Sequence, residues 1–235
     1  MCGMIEHRPF HKLSGQDIGW LKAKRHFSFD GSDDRARKGW GALRIWNDDE
    51  IAPDAGFPPH AHANMEIVTY VREGVVTHRD SLGNEGQTKA GDVQVMSAGT
   101  GIRHAEYNTG PVSALIFQIW IVPDTSGGPP TWGSQSFPKG DHSWRFVAFA
   151  SGFASDTDAL PIRARARVLG ARLTAGQLIE HAFGERRRAY LVPSSGVVDV
   201  TGVRSHARDG AAIKDADVVR IKAIEDAEIV MAEVS

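Results

Sequence analysis

Cysteine is nearly absent: Cys2 is the one thiol in 235 residues. That excludes an intrachain disulfide and a thiolate-held structural zinc, and it points to a reducing, cytoplasmic compartment. Long apolar runs are missing as well. No segment approaches the roughly 20 apolar residues of a membrane helix. The opening "MCGMIEHRPFHKLSG" carries early charges where a secretion signal would carry its apolar stretch. Net charge is only −2, which gives no basis for a nucleic-acid or membrane partner. The basic cluster "ERRRAY" (185–190) accordingly reads as a solvated strand end or turn. Helical periodicity is scarce too, with "GQDIGWLKAKR" (15–25) a short candidate.

What is present is β-structure. Hydrophobic residues make up 41% of the chain, enough to bury a core. Strand-like runs recur at short spacing between Gly, Asn and Asp turns: "GALRIW", "EIVTYV", "GVVTHRD", "GDVQVM" and "SALIFQIWIV". Many short strands joined by turns predict a barrel or sandwich rather than βαβ units. Residues 123–142 break the pattern with Pro, Gly and Ser, and read as a linker or long surface loop. A second β series follows, from "WRFVAFA" to "AEIVMAEV". Within it Arg163, Arg165 and Arg167 alternate with Ala164, Ala166 and Val168, as in a strand with one wet face. The halves also share an order of parts. "EGVVTHRDSLG" (73–83) has the shape of "SGVVDVTGVRS" (195–205), and "KAGDVQVMSAG" (89–99) parallels "ARDGAAIKDADVVRI" (207–221), so one β-barrel module has been used twice. The expected organisation is a first domain over 1–125, a linker over 126–142 and a second domain over 143–235.

Five histidines (His60, His62, His78, His104 and His142) fall between residues 58 and 145. In a strand, residues i and i+2 share a face, so His60 and His62 of "PPHAHANMEIVTYV" aim the same way, with Glu66 if the strand is unbroken. His104 and Glu106 repeat that spacing in "MSAGTGIRHAEYN". A single H-x-H arises by chance; two strand-borne pairs point to a metal site. Three imidazoles and one carboxylate suit a first-row divalent ion and leave coordination positions free for substrate or dioxygen. Gly99 and Gly101 can turn the chain ahead of His104, and Pro58 and Pro59 stiffen the approach to His60. Strand parity permits either Glu66 or Glu106 as the fourth ligand. His78 and Asp80 lean to a structural role, His26 to packing, and Trp40, Trp46 and Trp120 to the core. Phe57 and Met96 are candidates for the pocket wall.

These motifs resemble the pirins, the two-domain branch of the cupin superfamily. "GFPPHAHANMEIVTYVREG" (56–74) is similar to the first cupin motif and "GDVQVMSAGTGIRHAEYN" (91–108) to the second; "EGVVTHRDSLGN" and "RHFSFDG" also read as pirin phrases. The resemblance implies an all-β bicupin of two tandem jelly-roll-like barrels. It implies His60, His62, His104 and Glu106 as the metal ligands, with Glu66 outside the coordination sphere. "AHANME" departs from the larger basic and aromatic pair that pirins often carry, which bears on substrate preference. The second half has no matching H-x-H or H-x-E; His181 and His206 stand alone, so that barrel is expected to be metal-free.

The resemblance further implies iron, as Fe(II), with Mn, Co, Ni, Cu or Zn acceptable to the same ligands. In bacterial relatives it implies a quercetin 2,3-dioxygenase: a flavonol and dioxygen as substrates, Glu106 as base, and ring opening with loss of carbon monoxide. The alternative is a non-enzymatic, redox-sensitive iron protein that regulates a partner. An internally doubled barrel is expected to be a monomer.

Overall fold

The structure, a computed structural model, describes residues 3–28, 38–136, 145–184 and 187–235. Cys2, His142, the end of "RHFSFDG" and the start of "ERRRAY" lie outside the described residues. Among those described, the only helix is one 3-10 turn at Phe10–Lys12, and no helix is long and apolar enough to cross a membrane.

The strands in chain order begin with β1 (Met4–Arg8), β2 (Ser14–Asp17), β3 (Leu21–Arg25), β4 (Leu43–Ile51), β5 (Ala55–His62) and β6 (Glu66–Glu73). Next come β7 (Val75–Asp80), β8 (Glu85–Lys89), β9 (Asp92–Ser97), β10 (Ile102–Asn108), β11 (Ala114–Ile121) and β12 (Thr131–Ser136). They continue with β13 (Val147–Ser151), β14 (Leu160–Pro161), β15 (Arg167–Leu173), β16 (Leu178–Ala182) and β17 (Arg188–Ser195). The last are β18 (Val197–Val200), β19 (Val203–His206), β20 (Gly210–Lys214), β21 (Val218–Ala223) and β22 (Ala227–Val234). Two compact units result: Ser14–Phe137 with Leu160–Arg165, and Met1–Leu13 with Pro138–Ala159 and Ala166–Ser235.

The first unit is built from a sheet in the order β12-β9-β6-β11-β4-β3-β2 and a second in the order β5-β10-β7-β8. Two of the apolar clusters in its interior flank the site. One is formed by Leu21, Ala23, Ile51, Val71, Val76, Ala114 and Ile116, the other by Ile67, Met96, Ala98 and Ile102 with Trp120 and Trp132 against them. Between them runs a polar row. Thr69 sits two residues from both Ile67 and Val71, paired to Gln118 on one side and Gln94 on the other. Period-2 alternation puts all three on the inward face of their strands.

In the second unit one sheet contains the series β1-β20-β17-β22-β15-β13 and the other is β16-β21-β18-β19. The four-stranded sheets share an order of parts: "GVVTHRD" supplies β7, third in its sheet, and "SGVVDVTGVRS" supplies β18, third in the other, with most of β19 beside it. The main cluster of the second interior is apolar, with Leu191, Val198, Val200, Val219, Ile221 and Met231 buried together, and Glu233 is buried with His181 and Arg187 as its partners.

Several expectations are corrected. Residues 15–25 are not helical but form β2 and β3, joined at Gly19 with φ +86°; Leu21 and Ala23 are buried while Lys22 is exposed, a period of two. Thr131–Ser136, inside the expected linker, pairs with β9 as an edge strand. An edge needs only one row of backbone bonds, so polar, small residues can form it. In "RARARVL" the alternation of burial holds, but the strand starts at Arg167. The chain start belongs to the second unit, because β1 pairs antiparallel with β20.

Candidate metal centre

Pro58 and Pro59 explain the local shape of β5. Proline has no N–H for a ladder, so it is confined to edges and bulges, and β5 is the outer strand of its sheet. The register slips at this point: His104 pairs with His60, but Glu106 pairs with Phe57. Three residues of β5 are thus spanned by two of β10, a bulge that brings Phe57 rather than Pro58 opposite Glu106, while His60, His62 and His104 lie in the regularly paired stretch beside it. Gly99 and Gly101 do take positive φ, +51° and +148°, in the turn that delivers β10.

The imidazoles converge. Ring centres of His60 and His62 are 4.7 Å apart, His60 and His104 4.4 Å, and His62 and His104 5.0 Å. One nitrogen from each of these three lies within 4.8 Å of the others. His60 Nδ1 lies 2.8 Å from the Pro58 carbonyl oxygen; donation there fixes the tautomer and leaves Nε2 as a lone pair. His62 Nε2 and both ring nitrogens of His104 are buried without a hydrogen-bond partner. Buried polar atoms are normally paired, and a cation at this cluster would satisfy His62 Nε2 and one nitrogen of His104. Burial, then the neighbouring His60, lowers the His62 pKa to about 4. Burial, then His60, His62 and His78, lowers that of His104 to about 3. Neutral imidazoles are the form a metal binds.

Glu106 enters through His104. Its carboxylate groups with His104 and His78, again within 4.8 Å, rather than with all three outer histidines at once. Gln94 Nε2 donates to Oε1 at 2.5 Å and Gln118 Nε2 to Oε2 at 2.8 Å. Both amides are oriented from behind: Thr88 Oγ1 donates to Gln94 Oε1, and Trp120 Nε1 to Gln118 Oε1. Burial pushes the Glu106 carboxyl up to about 7, against the pull of Gln118 and Gln94. Asp49, buried with Oδ1 unpaired, is raised to about 8 by burial, then by Asp48 and Glu106.

Glu66 does not reach the histidines. Its buried carboxylate accepts from Ser97 Oγ, and burial raises its pKa against the pull of Ser97 and Arg163. His78 is firmly held and lies in the group with His104 and Glu106. Nε2 is held 3.0 Å from Asp80 Oδ2, the ring stacks on Trp132 at 4.7 Å, and Nδ1 is buried and unpaired. Burial pushes the Asp80 carboxyl up, but donors from Asn84, His78 and Leu82 outweigh it and hold it below its usual range. Trp120, expected as core, stands edge-on to His62 at 4.8 Å. His26 and Trp46 are fully buried and pack together at 6.2 Å. Gln94 and Gln118 went unnoticed in the sequence, where the one signal is an amide inside the apolar runs "VQVM" and "FQIW".

Residues 6–121 match the family model described as Pirin, and 149–234 the one described as quercetinase C-terminal cupin domain. A pirin-like protein of Caulobacter vibrioides is 63% identical over 230 residues, 98% of this chain and 99% of that one. The quercetin 2,3-dioxygenase of Escherichia coli K12 is 36% identical over 229 residues, 97% of each chain. The crystal structure of the bacterial pirin YhhW from Escherichia coli in complex with nickel(II) matches with a TM-score of 0.91 at 35% identity, covering 98% of this chain and 99% of that one. With both barrels matched and the relatives aligned from end to end, the chain belongs to the pirin family, as a two-domain cupin.

Proposed function

We propose that this pirin is a metal-dependent dioxygenase acting on a flavonol such as quercetin, with one divalent transition metal, Fe(II) first among the candidates. The supporting observation is the set of buried, unpaired imidazole nitrogens beside a carboxylate held by two amides. His60, His62, His104 and Glu106 would hold the ion. The ion supplies Lewis acidity toward a phenolic oxygen and a redox centre for dioxygen. The printed names of the Escherichia coli relative and of the second-barrel model favour quercetin as the substrate, and the nickel-bound relative favours metal binding by this fold.

The chain's own residues have defined tasks. Each Glu106 oxygen accepts one amide N–H, which leaves lone pairs for a cation and for the proton of the flavonol 3-hydroxyl. A pKa near 7 in the metal-free protein suits a base at neutral pH. Gln94 and Gln118 keep the carboxylate from rotating away. Trp120, edge-on to His62, and the buried Ile67, Met96 and Ile102 against which it packs give this side of the site an apolar surround.

Aerobic incubation of protein loaded with Fe(II), and separately with Mn, Co, Ni, Cu and Zn, tests the reading. Loss of the quercetin absorbance is expected, abolished in His104→Ala. Quercetin left intact with every metal would overturn the proposal.

A further inference from the structure

His78 and Glu106 stand directly opposite each other across β7 and β10, and His104 is two residues from Glu106 on the same face. One donor atom from each of these three lies within 4.8 Å of the others. This inner group shares only His104 with the outer group of His60, His62 and His104. All three inner side chains are buried, whereas His60 and His62 are half-buried.

The inner group holds lone pairs that nothing in the barrel answers. His78 Nε2 is 3.0 Å from Asp80 Oδ2. An ionised carboxylate only accepts, so the proton sits on Nε2, and Nδ1 of the neutral ring is a lone pair. It is buried without a partner, and Trp132, stacked on the ring at 4.7 Å, keeps the imidazole from turning to find one. His104 has both nitrogens buried and unpaired, of which an ion among the outer histidines takes one. Glu106 adds two oxygens that each accept a single amide N–H. Buried lone pairs are costly to leave unmatched, and a cation matches these together.

The second unit shows that the fold itself requires none of these groups. In the same place in its four-stranded sheet, β21 and β18 pair Ala223 with Val198 and Ile221 with Val200. All four are buried apolar side chains. A barrel of this kind closes without imidazole or carboxylate in that ladder.

We propose that His78 Nδ1, His104 and Glu106 form an inner cation position, distinct from the set His60, His62, His104 and Glu106, which takes a first-row divalent ion. Two imidazoles and one carboxylate are the donor set of many non-haem iron sites, and they leave coordination places open. The two positions share His104 and Glu106, so one ion occupies either of them and two ions do not bind together. The inner position stands whether or not the chain turns over a flavonol.

Removing the outer histidines tests it. His60→Ala/His62→Ala and the bulkier pair His60→Gln/His62→Gln alter half-buried side chains and should melt as the parent does. Calorimetric titration with cobalt(II) should give one ion per chain in the parent and in both double variants. Affinity in the double variants should fall more than about 100-fold, because direct ligands cost more than the partners behind them. Adding His78→Gln to either pair should cost at least about tenfold more and change the cobalt absorbance. Adding His11→Gln, at an exposed histidine outside both groups, should change neither. No cobalt bound by the double variants, two ions in the parent, or binding that His78→Gln leaves unmoved would overturn the inference. Quercetin left intact by a protein that binds cobalt in this way removes the dioxygenase reading and keeps the inner position.

Discussion

The imidazole rings of His60 and His104 stand 4.4 Å apart on strands paired residue for residue at that point. His104 also belongs to the inner group with His78 and Glu106. His104→Ala should therefore cost more metal affinity than His60→Ala. Both losses should exceed the roughly 10–100-fold that an outer partner typically costs. Metal content after dialysis, with calorimetric titration of the apo protein, gives the ranking; equal retention in both variants would contradict it.

Gln118 is the link between Trp120 and Glu106. Gln118→Leu removes one N–H donor from the carboxylate, and hydrogen bonds to charged groups are worth about 1.5–3 kcal/mol. Metal uptake should then need a higher pH, by about one unit or somewhat more, because the proton must leave Glu106 first. Cobalt binding followed by absorbance from pH 5 to 9 would locate the midpoint.

Asp49 and Glu106 give the metal-free protein a definite pH response. Their folded pKa values, about 8 and about 7, lie above the unfolded values of 3.8 and 4.5. Their contribution is fully present below the unfolded values and is lost as pH rises through the folded ones. His62 and His104 have the opposite sign: at about 4 and about 3, against 6.5 unfolded, they favour folding above 6.5 and lose it as pH falls. Between pH 6.5 and 8 only the carboxyls act, so the apo melting temperature should drop. Asp49→Asn should flatten that drop by a few degrees, at about 2–4 °C per kcal/mol for a chain this size. Calorimetry at pH 6.5 and 8 checks it; identical slopes in parent and variant would refute the assignment.

His78 provides the fourth case. Asp80→Asn weakens the acceptor that fixes the His78 tautomer, and His78→Gln removes the unpaired Nδ1 beside His104. Either should lower metal affinity by about 10–100-fold, and His78→Gln should also alter the cobalt spectrum. A variant with unchanged spectrum and affinity would leave His78 with a structural role alone.

The sequence made the histidine pairs visible because period-2 spacing states which residues share a face. It could not say that Pro58 and Pro59 force a bulge, and so could not place Glu106 opposite Phe57. Gln94 and Gln118 were hidden for another reason: their partner on β10 is distant in the chain, and an amide in an apolar run has many explanations. β12 was missed because its residues bury little, and hydrophobic pattern reports burial rather than backbone pairing. Residues 15–25 were misjudged since Lys and Gln serve either structure on an exposed edge.

The prolines of β5 have one more effect. Residues 58 and 59 have no N–H to offer to an approaching strand, so the outer margin of this sheet cannot serve as a template for another chain. His60 and His62 are thus carried on a strand that a second copy cannot lengthen into a shared sheet.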